Sequence, residues 1–184
     1  MNRNVLAVVA AIILIGGSYY ISGTHHMGGN RALAAKFAEL SQQGNSTCSA
    51  AFTSAIDTMP GDGSIKGSCC SPMNLHRYEE QVEGLKKYSS ILEIPSDPYD
   101  VPADLAKRLK GYYDLPLTPL EQQAYDYAMA NSHEKGPCCC KCWRWYVYGG
   151  LGKYLITQYQ FTGEQVADVW NLSDGCGGAG EHNH

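Results

Sequence analysis

Residues 118–143 read TPLEQQAYDYAMANSHEKGPCCCKCW, and the rest of the chain can be read outward from them. Thr118-Pro119-Leu120-Glu121 is a capping box with proline at the first helical position: the threonine oxygen takes an amide three residues on, and the glutamate reaches back. Leu120, Ala124, Tyr127 and Ala128 then recur at the spacing of one helix face, and the pattern stops at Asn131-Ser132-His133. Gly136-Pro137 breaks the chain and, by the same proline logic, opens the next helix. Four of the eight cysteines follow within five positions, at Cys138, Cys139, Cys140 and Cys142.

The same signals recur on both sides. Arg31 to Gln43 reads as a helix with Leu33, Phe37 and Leu40 on one face, and Thr47 to Met59 as a second carrying Cys48, Phe52 and Ile56. In that stripe Cys48 is as well suited to be a first core residue as a ligand. Ser71-Pro72 predicts a helix running to about Leu92, with Leu75, Tyr78, Val82 and Leu85 as its inward seam. Pro102 to Tyr113 predicts another, with Leu105 and Leu109 inward. Trp143 to Tyr159 is rich in aromatic residues, and Gly149, Gly150 and Gly152 within it suggest close approach of another helix or a kink. Thr162-Gly163-Glu164-Gln165 is a second capping box, stapled by Phe161 and Val166 and ending at Asn171-Leu172-Ser173. Pro60 to Gly67 and Ile94 to Val101 read as connections, since the former lacks the Gly-Lys-Ser/Thr ending of a phosphate loop. With no sustained period-2 run, the expectation is an all-α fold of six or seven short helices in one bundle-like domain.

Val5 to Ile21 is largely apolar, follows Arg3 and carries Tyr19-Tyr20 near its end, close to the lower limit of about 17 residues for a membrane helix. A signal peptide would show a small-residue cleavage site, which is absent, so the flanks favour an uncleaved anchor. Residues 1–22 are thus expected to be an anchor or signal, 23–30 a polar tether containing His25, His26 and Met27, and 31–176 the cysteine-rich helical domain. Residues 177–184, with His182 and His184, read as a flexible tail, and the run from Asp174 presents Cys176 on a flexible loop. Either reading of the N-terminus places the domain outside the cytoplasm, as a single-pass membrane protein or a secreted one.

A net charge of −4 with no basic stripe gives no electrostatic basis for binding nucleic acid. No Ser-His-Asp set or carboxylate pair supports a hydrolase, and no C-x-x-C-H motif supports haem attachment. What remains is sulfur chemistry. Scattered staples would not place cysteines in a pair, Cys69-Cys70, and a near-continuous run at 138–142, because adjacent cysteines bridge one another only through a strained ring. Both groups are read as preceding helix N-termini, where the positive end of the helix favours thiolate, and Lys141 and Arg144 add charge of the same sign. Packing two such helix ends together brings six sulfurs to one place. The candidate metal ligands are therefore Cys138, Cys139, Cys140, Cys142, Cys69 and Cys70. Thiolate softness favours Cu(I), and the paired C-x₂-C spacing usual for zinc is absent. Two other readings stay open: a dithiol redox protein using Cys139 and Cys142, which form a literal C-x-x-C without a surrounding βαβ pattern, and a disulfide-stapled helical interaction domain.

Pro137-Cys138-Cys139-Cys140-Lys141-Cys142 resembles the Pro-Cys-Tyr-Cys-Gly-Cys signature of a family of small exported bacterial cysteine-rich proteins, with Cys139 in place of tyrosine and Lys141 in place of glycine. The resemblance covers six residues and implies an exported, thiol-bearing role without naming a metal.

Overall fold

The computed structural model of the chain describes residues 31–176. The anchor expected at Val5–Ile21, the tether with His25, His26 and Met27, and the tail with His182 and His184 lie outside the described residues. Among those described, no helix is long and apolar enough to cross a membrane. The chain divides into two compact units, Met1–Ala38 and Glu39–His184. In the first, residues 31–38 are helical, the opening turns of a helix over 31–42, α1.

The second unit is mostly helical, as expected, and it contains every cysteine of the chain. Its helices after α1 are α2 (Ala50–Ala55), α3 (Leu75–Leu85), α4 (Ala103–Gly111), α5 (Pro119–Asn131), α6 (Trp143–Tyr159) and α7 (Gly163–Leu172). Short 3₁₀ turns extend α2 through Thr58, α3 through Tyr88 and α4 through Asp114.

The two capping boxes form as their sequences dictate. Thr118 and Glu121 exchange hydrogen bonds at the start of α5, and Thr162 and Gln165 do the same at α7. Helix α6 is the centre of the unit. Trp143, Val147, Tyr148, Leu151 and Leu155 are fully buried along it, each such side chain worth about 2 kcal/mol of burial. It packs against α4 and α7, and α5 packs on α7. A Cβ on Gly150 would overlap the Leu109 carbonyl of α4, so glycine is what lets these two backbones touch. Of the two readings left open for the α6 glycines, close approach is the one realised here.

Several local expectations are corrected. Ser71 does not cap α3. Its amide and hydroxyl both bond the Cys176 carbonyl, at 3.0 and 2.6 Å, and Asn74 caps instead by accepting from the Arg77 amide at 3.0 Å. The inward face of α3 is Tyr78, Gln81 and Leu85, while Leu75 is 38% exposed. On α5, Leu120 and Tyr127 face outward and Tyr125 and Ala128 are buried. Parts of both supposed connections pair as a two-stranded antiparallel ribbon, β1 (Ser64–Lys66) with β2 (Asp100–Pro102), Ile65 opposite Val101. Ile65 and Val101 are both fully buried, which is why so short a pairing persists. Thr47–Met59 is helical only from Ala50, because Ser49 takes the cap by accepting from the Phe52 amide.

Candidate metal centre

Three non-helical segments meet at one end of α6. The first, residues 44–48, is tied to β1: the amides of Asn45 and Ser46 both donate to the Lys66 carbonyl at 3.0 Å, and the Asn45 side chain bonds the Ser64 carbonyl and the Lys66 amide. Ser46 also accepts from the buried Trp143 indole at 3.0 Å. These bonds hold Cys48 beside the start of α6. The second segment, residues 67–71, leaves β1 through a Gly67 amide bonded to the Tyr99 carbonyl at 2.8 Å, and carries Cys69 and Cys70.

The third segment is the cysteine run itself. A turn at 132–136 delivers it: the buried Ser132 hydroxyl bonds both the Gly136 amide and carbonyl, and Lys135 takes a left-handed conformation at φ 52°. Cys138 to Cys142 is not helical, contrary to the proline-based expectation. Cys142 is the N-cap residue of α6, extended at φ −89° and ψ −171°, and its amide bonds the Cys140 carbonyl at 2.8 Å instead of a helical partner. Cys138 and Cys142 nevertheless meet at 3.7 Å, through the folding-back of the loop.

A fourth strand of backbone closes the site. The segment after α7 is not a loose tail as far as Cys176. The Asp174 carbonyl accepts from the buried Gln81 side chain at 2.5 Å and from the Tyr99 hydroxyl at 3.2 Å, and the Gly175 carbonyl accepts from the Cys69 amide at 3.2 Å. Cys176 is therefore held in place with only 2% of its surface exposed.

All eight cysteines are free thiols, and together they make one continuous patch of sulfur. Sulfur separations are 2.9 Å for Cys48–Cys140, 3.0 Å for Cys139–Cys176, 3.3 Å for Cys138–Cys176, 3.6 Å for Cys69–Cys70 and 3.9 Å for Cys69–Cys176. For scale, thiolates about 2.3 Å from one metal ion stand roughly 3.8 Å apart in a tetrahedron and about 4.0 Å apart in a triangle. Four sets of three have all their sulfurs within 4.8 Å of one another: Cys48, Cys70 and Cys140; Cys69, Cys138 and Cys176; Cys70, Cys139 and Cys176; and Cys138, Cys139 and Cys140. The six cysteines of the pair and the run are thus brought together, and two more join them. Cys48, on a supposed core stripe, is exposed and faces Cys140. Cys176, on a supposed flexible loop, is buried at the centre. The sequence left Cys48 open between core residue and ligand, and it put Cys176 on a loop with no partner assigned among the proposed ligands. Cys139 and Cys142 face different partners, Cys176 and Cys138, and no βαβ unit surrounds them among the described residues. His76 stands apart, exposed and beside Glu80 at 3.1 Å.

Crowding sets the protonation of these thiols. Cys69 is lowered to about 7, chiefly by its hydrogen bond with Cys138, and Cys138 is lowered to about 7 by bonds from Cys142 and Cys176. Five move up: Cys176 and Cys142 mainly because Cys138 takes their hydrogen bonds, Cys70, Cys139 and Cys140 mainly through burial. Without a cation, a cluster of thiols can shed only a few protons before the accumulating charge forbids more. A bound metal ion removes that limit.

A buried positive charge, Arg144, stands at the base of the cluster. It is 1% exposed, donates to the carbonyls of Pro98 at 2.6 Å and Ser173 at 3.3 Å, and lies against the rings of Trp143, Tyr99 and Tyr148. Its Nε has no hydrogen-bond partner, and no carboxylate pairs with it among the described residues. Burial opposes its charge, but the oxygens and sulfurs of Tyr148, Cys69, Tyr99 and Cys138 outweigh that and keep it protonated. A Cβ on Gly175 would overlap the guanidinium, so the Cys176 loop rests directly on it. Lys141 points elsewhere, its Nζ 5.8 Å from the centre of the Trp145 ring.

Comparison with protein-family models, with curated proteins and with solved structures gives no match to this chain. Chemistry alone must carry the functional reading. The arrangement is compatible with thiolate metal binding.

Proposed function

We propose that this chain binds soft metal ions, Cu(I) ahead of Zn(II), on its clustered cysteine thiolates, on the outer side of a membrane to which residues 5–21 anchor it. The observation that carries the metal reading is the convergence of eight sulfurs from four separate segments, with four sets of three mutually close. Ordinary core packing does not require sulfur. The buried Arg144 points the same way: no carboxylate pairs with it among the described residues, and a positive charge beside Cys69 and Cys138 favours an anionic metal–thiolate unit there.

The preference for Cu(I) rests on the softness of thiolate sulfur and on the absence of the paired C-x₂-C spacing usual for zinc. The extracytoplasmic placement rests on Arg3 and the apolar run Val5–Ile21, and on the likeness of residues 137–142 to the exported Pro-Cys-Tyr-Cys-Gly-Cys family.

The test is elemental analysis with a thiol count on protein purified without oxygen. Bound copper is expected, falling when Cys138 and Cys142 are both replaced by serine. Protein that takes up neither copper nor zinc and shows no titratable thiols would establish stapling instead. The 2.9 Å Cys48–Cys140 and 3.0 Å Cys139–Cys176 approaches mark where such staples would form. A reporter fused after Gln160 and active only outside the cytoplasm is the expected result for location; activity inside would overturn it.

A further inference from the structure

Building on the metal-binding reading, we infer that the eight thiols form one polynuclear site with two unlike ends, an exposed mouth and a buried terminus, joined by Cys139 as a relay for a monovalent thiophilic ion. The inference comes from how the four close sets share members. The mouth set, Cys48, Cys70 and Cys140, and the inner set, Cys69, Cys138 and Cys176, have no residue in common. Both can therefore be filled at once, so the site holds at least two ions. Each of the remaining sets takes one sulfur from the mouth, one from the inner end, and Cys139: one joins Cys70 to Cys176, the other joins Cys140 to Cys138.

This connectivity defines a path. An ion on the mouth set keeps Cys70 or Cys140, gains Cys139, then gains Cys176 or Cys138 as it lets go of the mouth. It is never without thiolate ligands. Each step exchanges one metal–sulfur bond for another, and a thiol that becomes a ligand releases its proton to solvent. The ion's charge does not change, so no oxidant or reductant enters.

Direction follows from burial and charge. Cys48, Cys70 and Cys139 are exposed, whereas Cys138 and Cys176 are each 2% exposed. Cys142, also buried, adds a fourth sulfur 3.7 Å from Cys138 at the inner end alone. A monovalent ion on three thiolates remains anionic, and the buried guanidinium of Arg144 lies against Gly175, next to Cys176. The inner end is therefore the tighter one. An ion there is also shielded from competing chelators.

The test is anaerobic titration of the full chain with Cu(I), read against the chromogenic chelator bathocuproine disulfonate, with helicity followed by circular dichroism. Wild type is expected to take up at least two Cu(I) per chain in two affinity classes. The exposed pair Cys48→Ser with Cys70→Ser is expected to lose the weaker class and keep the tighter. Cys139→Ser is expected to keep the tight class at equilibrium but fill it at least tenfold more slowly. Because Cys139 is exposed, its replacement leaves the core intact, and wild-type helicity verifies that. A single Cu(I) per chain overturns the two-ended site while leaving metal binding in place. Wild-type loading kinetics in Cys139→Ser overturn the relay. No Cu(I) uptake at all removes the metal-binding reading itself.

Discussion

The helical body and the cysteine pole of this protein are built on opposite principles. In the body, α4, α6 and α7 bury apolar side chains against one another, the Trp170 indole donates to the Tyr148 carbonyl at 2.8 Å, and capping boxes close α5 and α7. At the pole, four irregular segments are pinned by backbone hydrogen bonds so that eight thiols crowd above a buried cation. The body gains its stability from burial and is complete as it stands. The pole concentrates groups that repel one another once ionised, and in the function proposed above a bound cation relieves that repulsion. Stability and the proposed site are thereby separated in space, with Arg144 and Trp143 at the boundary.

The largest expected effect would break the body. Gly150→Ala forces a methyl group into the Leu109 carbonyl and should cost about 3 kcal/mol of stability, read as a lower denaturation midpoint with or without metal. An unchanged midpoint would show that α4 and α6 can part without cost. Next comes the pole. Cu(I) at about 100 times its dissociation constant should add about 2.7 kcal/mol to unfolding, and a thiophilic chelator should take it away. Equal stability with and without Cu(I) would mean that the pole is already complete.

Arg144→Met sharpens the boundary. Loss of the arginine leaves the Pro98 and Ser173 carbonyls without their donor and should cost the metal-free protein about 2 kcal/mol. Affinity for Cu(I) should fall about tenfold, equivalent to about 1.4 kcal/mol. A large loss of stability with unchanged affinity would make Arg144 part of the body and not of the site. The smallest effect belongs to Thr118→Ala, which removes the α5 cap: about 1 kcal/mol of stability, and no change in metal uptake, since α5 contributes no sulfur to the pole.

Local rules carried far in this chain. Capping at Thr118 and Thr162 involves residues three apart, so sequence spells it out, and the same holds for the helix over 31–42 and for the inward Leu105 and Leu109 of α4. Those rules also singled out the 69–70 pair and the 138–142 run, which the fold brings together. They failed wherever a distant partner outbid a local one. Ser71 has the chemistry of a cap, but the Cys176 carbonyl, 105 residues away, claims its hydroxyl. Pro137 could begin a helix, but the loop after it folds back through the Cys140–Cys142 bond and leaves Cys142 as the cap residue.

The sequence by itself thus determined a helical domain, its best-capped helices and the cysteine pair and run as candidates for one site. Only tertiary structure decided that Cys48 and Cys176 belong to the cluster, because the local pattern suits Cys48 to a core as well as to a ligand and gives Cys176 no partner. Cys48 is placed by the Ser46–Trp143 and Asn45–Lys66 contacts, and Cys176 by Gln81, Tyr99 and Ser71 holding the segment after α7. The physical reason is one of range. A helix cap is satisfied within a few bonds of itself, whereas a set of sulfurs drawn from four segments exists only once the core has placed those segments side by side.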